Sequence, residues 1–178
     1  MQILDFYTCV IILGVVRVIV AIDKKRGMAD NHGIPWAGKI PSDVKYFREK
    51  TEDGTVLMGY ATYLEFGQPL PNRRNFVATS RNQKLNDGFE PVNDAVAFLQ
   101  DYKNNGPDIW VIGGAGLFTS TINLVDELYL TLLDGDFSCT KLFPEYDKDF
   151  ELVSQTEPYT ENGVTFRFTI WKRLQKQG

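Results

Sequence analysis

The sequence predicts a single α/β domain: a central, mostly parallel mixed sheet of about eight strands flanked by helices. Three observations predict it. Short β-branched apolar runs alternate with helical patterns over the first two thirds of the chain. Two of those runs end in glycine turns that open helices, "LMGYAT" and "VIGGAG". The tail closes with two alternating runs around an Asn162-Gly163 turn signal, the mark of an antiparallel pair at the sheet edge. A chain of 178 residues suits one domain with a sizeable core.

The elements follow in order. "RVIVAID" is a β-branched run ending in a charged turn, so Val18–Ile22 reads as a strand buried on both faces and hence central. Ahead of it "FYTCVIILGVVRVIVAI" is nearly continuous in apolar residues. Arg17 divides it, and neither piece reaches the ~18–20 residues that cross a bilayer. A secretory leader would carry basic residues before the apolar run, where Asp5 stands. Residues 1–17 are therefore expected to be an apolar extension of unassigned role, and residues 18–174 the domain. After a Pro-rich loop, Pro41, Ser42 and Asp43 suit a first turn, and Val44 and Phe47 keep helical spacing, which predicts a helix over Ser42–Lys50. "TVLMG" is a second strand, "ATYLEFG" a short helix stopped by Gly67, and "RRNFVATS" a third strand. "NDAVAFLQDYKNNG" has an Asn/Asp start and a Gly106 stop around an amphipathic helix. "DIWVIGGAGLFTSTINLV" reads as strand, glycine turn and helix, and "DELYLTLLDG" as another strand.

Composition excludes several function classes. Hydrophobic residues at 43% and charged residues at 24% give the balance of a globular protein rather than a disordered or collagenous one. A net charge of −4 with no run of Lys or Arg argues against a nucleic-acid surface. Cys9 and Cys139 form no CxxC pair, and His32 is the single histidine, so neither a disulfide framework nor a metal cluster is expected.

In such a fold ligands sit outside the carboxyl ends of the strands. Each glycine turn alone is weak, since Gly-Gly after a strand is more often only a tight turn and the spacing is not G-x-G-x-x-G. Two of them in one sheet suit the two ends of a dinucleotide. The other focus is "GIPWAGKIPSDVKYF", with Asp43 at a helix start. An isolated Ser-Asp pair there is most often a capping residue worth ~0.5–2 kcal/mol. Here Trp36 behind Pro35 and Phe47 one turn along supply apolar walls. An acid on that face would sit in a pocket and could hydrogen-bond a flat amidine-like edge through both oxygens.

Taken together, "GMADNHGIPWAGKIPSDVKYFREKT", "VLMGYATY", "PLPNRRNFVATSR", "IWVIGGAGLF" and "DELYLTLLDGDFSCTKLFPEY" resemble the dihydrofolate reductase family in order and spacing, over roughly residues 18–173. The resemblance implies hydride transfer from NADPH to dihydrofolate in a cytoplasmic, monomeric enzyme that also binds antifolates such as methotrexate, with no nucleic-acid or membrane partner. It assigns Asp43 to the pterin ring nitrogen and amino group, and Trp36 to a water near that edge. Ile19, Leu70 and Ile112 would line the substrate site, with Phe47 against the middle ring. Arg73 would take the glutamate carboxylate, and Thr131 would support Asp43. Ala21 and Met28 would meet the nicotinamide carboxamide. Gly59, Thr62, Gly113, Gly114 and Ala115 would surround the cofactor phosphates, and Ser80 and Arg81 the extra phosphate.

The chain departs from the family pattern near the cofactor. Tyr60 stands where a basic residue is usual and Gly116 where some members carry arginine, which leaves Arg81 as the main cation. Glu65 replaces a small polar residue near the substrate mouth, and "WAGKIP" is longer by about two residues than in short bacterial members. A pyrimidine reductase of riboflavin synthesis on the same fold is the alternative, and it would have no need of Asp43 with Trp36. A non-catalytic nucleotide-binding module is a further alternative, at odds with the full set of substrate-side residues.

Overall fold

Strand β1 (Val16–Ile22) runs through the middle of the sheet in the computed structural model, which describes residues 13–82 and 84–175. It pairs in parallel with β6 (Ile109–Val111) on one side and β7 (Glu127–Leu133) on the other. With both edges bonded and both faces covered, Val16, Val18 and Ile22 are almost wholly buried. The strand begins at Val16, two residues before the Val18 read from the sequence. Arg17, whose charge broke the apolar run, is taken up locally. Its Nη1 lies 2.5 Å from Asp108 and its Nε 2.8 Å from Glu127, while the guanidinium stands 5.5 Å over the Trp110 ring. The Val15 and Val16 N–H groups donate to Asp108 and Asp126, each at 2.9 Å. Val16 and Arg17, assigned above to the extension, thus belong to β1. Of the rest of that assignment, Gly14 and Val15 lead into the strand with N–H bonds to the Lys103 carbonyl and Asp108, and residues 1–12 lie outside the described residues.

The sheet order is β10-β11-β7-β1-β6-β3-β4-β5, with β9 also on β11. Its remaining members are β3 (Thr55–Gly59), β4 (Arg74–Ala78), β5 (Phe89–Val92), β9 (Phe150–Gln155), β10 (Tyr159–Glu161) and β11 (Val164–Arg173). Pairing from β7 through β5 is parallel, while β11 runs antiparallel to β7, β9 and β10. This is the mixed sheet expected. Two short strands, β2 (Gly27–Ala29) and β8 (Lys141–Leu142), pair separately. The edge strand β5 carries Pro91, which has no N–H for a ladder and so suits an edge.

Among the described residues four helices cover the sheet: α1 (Pro41–Thr51), α2 (Tyr60–Phe66), α3 (Ala95–Asn105) and α4 (Ala115–Thr121), the last continued by a 3-10 turn over Ile122–Leu124. Helix α3 starts as its sequence dictates, with Asp94 accepting the N–H groups of Val96 and Ala97 at 3.0 Å. Helix α2 ends at Gly67, whose φ of 65° an L side chain would resist. Between them the helices and sheet bury Leu57, Leu99, Ile109, Val111, Phe118, Leu128 and Leu130. Among the described residues no helix is long and apolar enough to cross a membrane.

Candidate active site

The parallel strands bring their carboxyl ends to one edge of the sheet, and most of the candidate residues come together there. Asp43 sits in the first turn of α1, and Thr131 of β7 donates its hydroxyl to Asp43 Oδ1 at 2.6 Å. Thr131 is itself only 1% exposed, held between Ala21 of β1 and Phe168 of β11. Burial pushes the Asp43 carboxyl above the ordinary 3.8; the Thr131 hydrogen bond pulls it down and the negative charge of Glu161 pushes it up again, leaving it raised. One turn along α1, the Tyr46 hydroxyl is pushed up to about 12, mainly by burial and further by Tyr129 and Asp43. Tyr46 stacks on Phe168 at 4.2 Å, which pins α1 to β11.

The apolar candidates fall mainly into two clusters. Trp36 is 3% exposed and meets Phe137 edge-on at 5.2 Å, in a cluster with Ile40, Ala21 and Phe168. Ile19, Phe47, Leu70 and Ile112 share a second cluster with Met58, Tyr63 and Trp110. Met28 and Ala115 belong to the main core instead. The "PLP" turn is fixed by Asn75, a buried amide that accepts from the Leu70 N–H and donates to the carbonyls of Leu70 and Arg73. Arg73 is held by Nε to Thr51, Nη1 to the Pro71 carbonyl at 2.8 Å and Nη2 to the Arg48 carbonyl at 3.1 Å. Those bonds orient the planar fork at the end of α1.

The two glycine turns face each other. The Gly59 N–H donates to the Gly113 carbonyl at 2.6 Å, and a Cβ on Gly59 would lie 3.4 Å from the Gly114 nitrogen. A Cβ on Gly113 or Gly114 would stand 3.7 or 3.5 Å from Thr62 Oγ1, and Gly113 has a φ of 117° that favours glycine. Side chains here would fill a cradle of backbone. Arg81, just beyond β4 and the exposed Ser80, places its guanidinium 4.6 Å over the ring of Tyr60. Tyr60 thus carries a cation on its face beside the glycine turn.

Two residues that matter at this site were not legible in the sequence. Glu161 of β10 accepts the Ser42 N–H at 3.1 Å and the Ser42 hydroxyl, next to Asp43. Asn162 donates its side-chain amide to the Lys39 carbonyl at 2.8 Å. In the sequence Asn162 announces only a turn, and no local pattern can join positions so far apart. An open cleft of about 910 Å³ lies at the opposite ends of β1 and β7, lined by residues such as Val15, Asp126, Lys148 and Arg173. It gathers none of the residues above.

The dihydrofolate reductase family model matches residues 15–173. The Staphylococcus aureus (strain Mu50) dihydrofolate reductase is 30% identical over 161 residues, covering 90% of this chain and 98% of that one. The Bacillus subtilis (strain 168) dihydrofolate reductase is 33% identical over 158 residues, covering 87% of this chain and 92% of that one. The structure of the dihydrofolate reductase from Enterococcus faecalis, complexed with NADP(H) and RAB-propyl, superposes with a TM-score of 0.80 at 27% identity and covers 93% of this chain and 99% of that one. A family match over residues 15–173, with relatives 30% and 33% identical along nearly their whole length and the same overall fold, means that this chain belongs to the dihydrofolate reductase family.

Proposed function

We propose that the protein reduces 7,8-dihydrofolate to tetrahydrofolate, using NADPH as the reductant. The observation that carries the reading is the Asp43–Thr131 pair, a half-buried carboxylate fixed at the sheet edge between apolar walls. Ionised, Asp43 accepts two hydrogen bonds from the ring nitrogen and amino group of the pterin. Its charge also favours the positive charge that gathers on the pterin when the neighbouring imine nitrogen is protonated. Thr131 keeps the carboxylate from rotating. Trp36, Ile19, Phe47, Leu70 and Ile112 exclude water and so strengthen that charge effect. Arg73 offers its remaining N–H groups to the substrate's glutamate carboxylate.

The cradle between Gly59, Gly113 and Gly114 fits a pyrophosphate, because backbone N–H groups can approach where a Cβ would otherwise stand. Thr62 and Ala115 border it, Ser80 and Arg81 would receive the extra phosphate, and Ala21 and Met28 the carboxamide. The bound cofactor supplies the hydride, and the chain aligns donor and acceptor. On this reading the enzyme works as a cytoplasmic monomer and binds 2,4-diamino antifolates such as methotrexate. It needs no nucleic acid, in keeping with a net charge of −4 and no basic stripe. Family membership does not favour the pyrimidine reductase. The test is the fall in reduced-nicotinamide absorbance with and without dihydrofolate. A rate independent of dihydrofolate rejects the reading.

A further inference from the structure

Helix α1, which carries Asp43, has no cap of its own. Ile40 at its N-cap offers no side-chain hydrogen bond, and Pro41 has no N–H. The Asp43 N–H goes to the Ile40 carbonyl, which leaves the Ser42 N–H to be met from elsewhere. Glu161 meets it at 3.1 Å and also accepts the Ser42 hydroxyl. Its neighbour Asn162 binds the Lys39 carbonyl, so the tip of one hairpin holds both the end of the Trp36 loop and the start of the helix. That tip is built to stay in shape. Asn162 and Gly163 take φ values of 46° and 77°, the left-handed pair that a tight two-residue hairpin turn requires.

We propose that Glu161 is a positioning residue for Asp43: it anchors the first turn of α1 to the β10–β11 hairpin and sets the negative charge that the Asp43 carboxyl faces. The proposal rests on Asp43 being the pterin carboxylate. Asp43 faces Thr131 from β7, Glu161 from β10 and Tyr46 from its own helix, and Tyr46 in turn lies beneath Lys50 and beside Tyr129. Within this set Glu161 is the carboxylate opposing the ionised form of Asp43, in the direction opposite to Thr131. A plain helix cap would need only an acceptor. A carboxylate bonded to Ser42, the residue next to the pterin acid, does a second job, keeping that acid less readily ionised until a cationic ring arrives.

Glu161→Gln separates the two jobs, since the amide still accepts from the Ser42 N–H but carries no charge. In carbon-13 NMR of the full chain, the Asp43 carboxyl should titrate at a lower midpoint in this variant, while KM for dihydrofolate stays within about 2-fold. Glu161→Ala also removes the anchor. Its KM should rise roughly 2- to 30-fold, the fold-change equivalent of one lost helix cap, with kcat changing less. An unmoved Asp43 midpoint in Glu161→Gln overturns the charge role, and an unchanged KM in Glu161→Ala overturns the anchor. A wild type that does not consume dihydrofolate rejects the proposed activity instead, and the carboxyl titration then decides Glu161 by itself.

Discussion

Thr131 and Asp43 come from opposite halves of the chain, yet the hydroxyl of one sits 2.6 Å from the carboxylate of the other. That contact ties the first turn of α1 to the buried middle of the sheet, and the chemistry proposed above depends on it. Asp43→Asn keeps the shape and the acceptor oxygen but removes the charge. Turnover of dihydrofolate at neutral pH should fall at least ~100-fold, as expected when a positioned charge is lost from a dry site. NADPH binding, followed by fluorescence, should survive. Near wild-type turnover would remove Asp43 from the role of pterin carboxylate.

The same substitution should stabilise the fold. Burial raises the Asp43 pKa above 3.8, so its protonated form is the one the folded state prefers. The stabilisation this gives is full below 3.8 and is lost as pH rises through the raised value. At pH 7 the ionised group is therefore a cost. The melting temperature of Asp43→Asn should exceed that of the wild type at pH 7, with the gap closing as pH is taken below 3.8. A lower melting temperature at pH 7 would contradict this account of the buried charge.

Thr131→Val removes the hydroxyl and leaves the shape. A hydrogen bond to a charged group contributes about 1.5–3 kcal/mol, so methotrexate should bind roughly 10- to 150-fold more weakly by calorimetry. NADPH affinity should not move. A change in methotrexate affinity below about 2-fold would mean that Asp43 holds its orientation without Thr131.

Arg81 on the face of Tyr60 should decide how strongly NADPH is preferred over NADH. Arg81→Ala should bring the kcat/KM ratio for the two cofactors close to one, a loss of about 10- to 150-fold, mainly by weakening NADPH. Tyr60→Leu removes the stacking surface under Arg81, worth about 0.5–1 kcal/mol, and should cost roughly 2- to 5-fold. If Arg81→Ala kept a preference above about a thousand-fold, another group would hold the phosphate.

A chain starting at Val18 loses the buried Val16, the Arg17 pairs and the backbone bonds of Gly14, Val15 and Val16 to the Lys103 carbonyl, Asp108 and Asp126. Burial of one valine alone is worth about 1.5–3 kcal/mol. The shorter chain should melt several degrees lower or fail to accumulate, and equal melting temperatures would show that β1 needs only its carboxyl half.

The legible parts of the sequence were those specified locally. Pro41-Ser42-Asp43 announces α1, Asp94 announces α3, and β-branched runs announce β1, β3 and β4. Arg17 concealed the start of β1 because its partners Asp108 and Glu127 are far along the chain. "FEPV" did not read as a strand, since Pro91 is a breaker everywhere except at an edge. Strands β2, β8 and β10 are too short for a period to show. At the site, Asp43 and Trp36 were suggestive by themselves, Arg73 and Thr131 came only with the family resemblance, and Glu161 came with neither.

Pro91 bears on how the molecule behaves at high concentration. The Val92 carbonyl accepts from the Thr79 N–H at 2.9 Å, so Val92 turns toward β4 and its neighbour Pro91 turns outward. The outer margin of β5, an edge among the described residues, is thus missing an N–H at the point where an incoming strand would pair, and the adjacent Glu90 carries a charge bound to Arg74. A second molecule cannot extend the sheet across this margin without leaving a carbonyl unmatched, which guards this parallel stack against strand-by-strand aggregation.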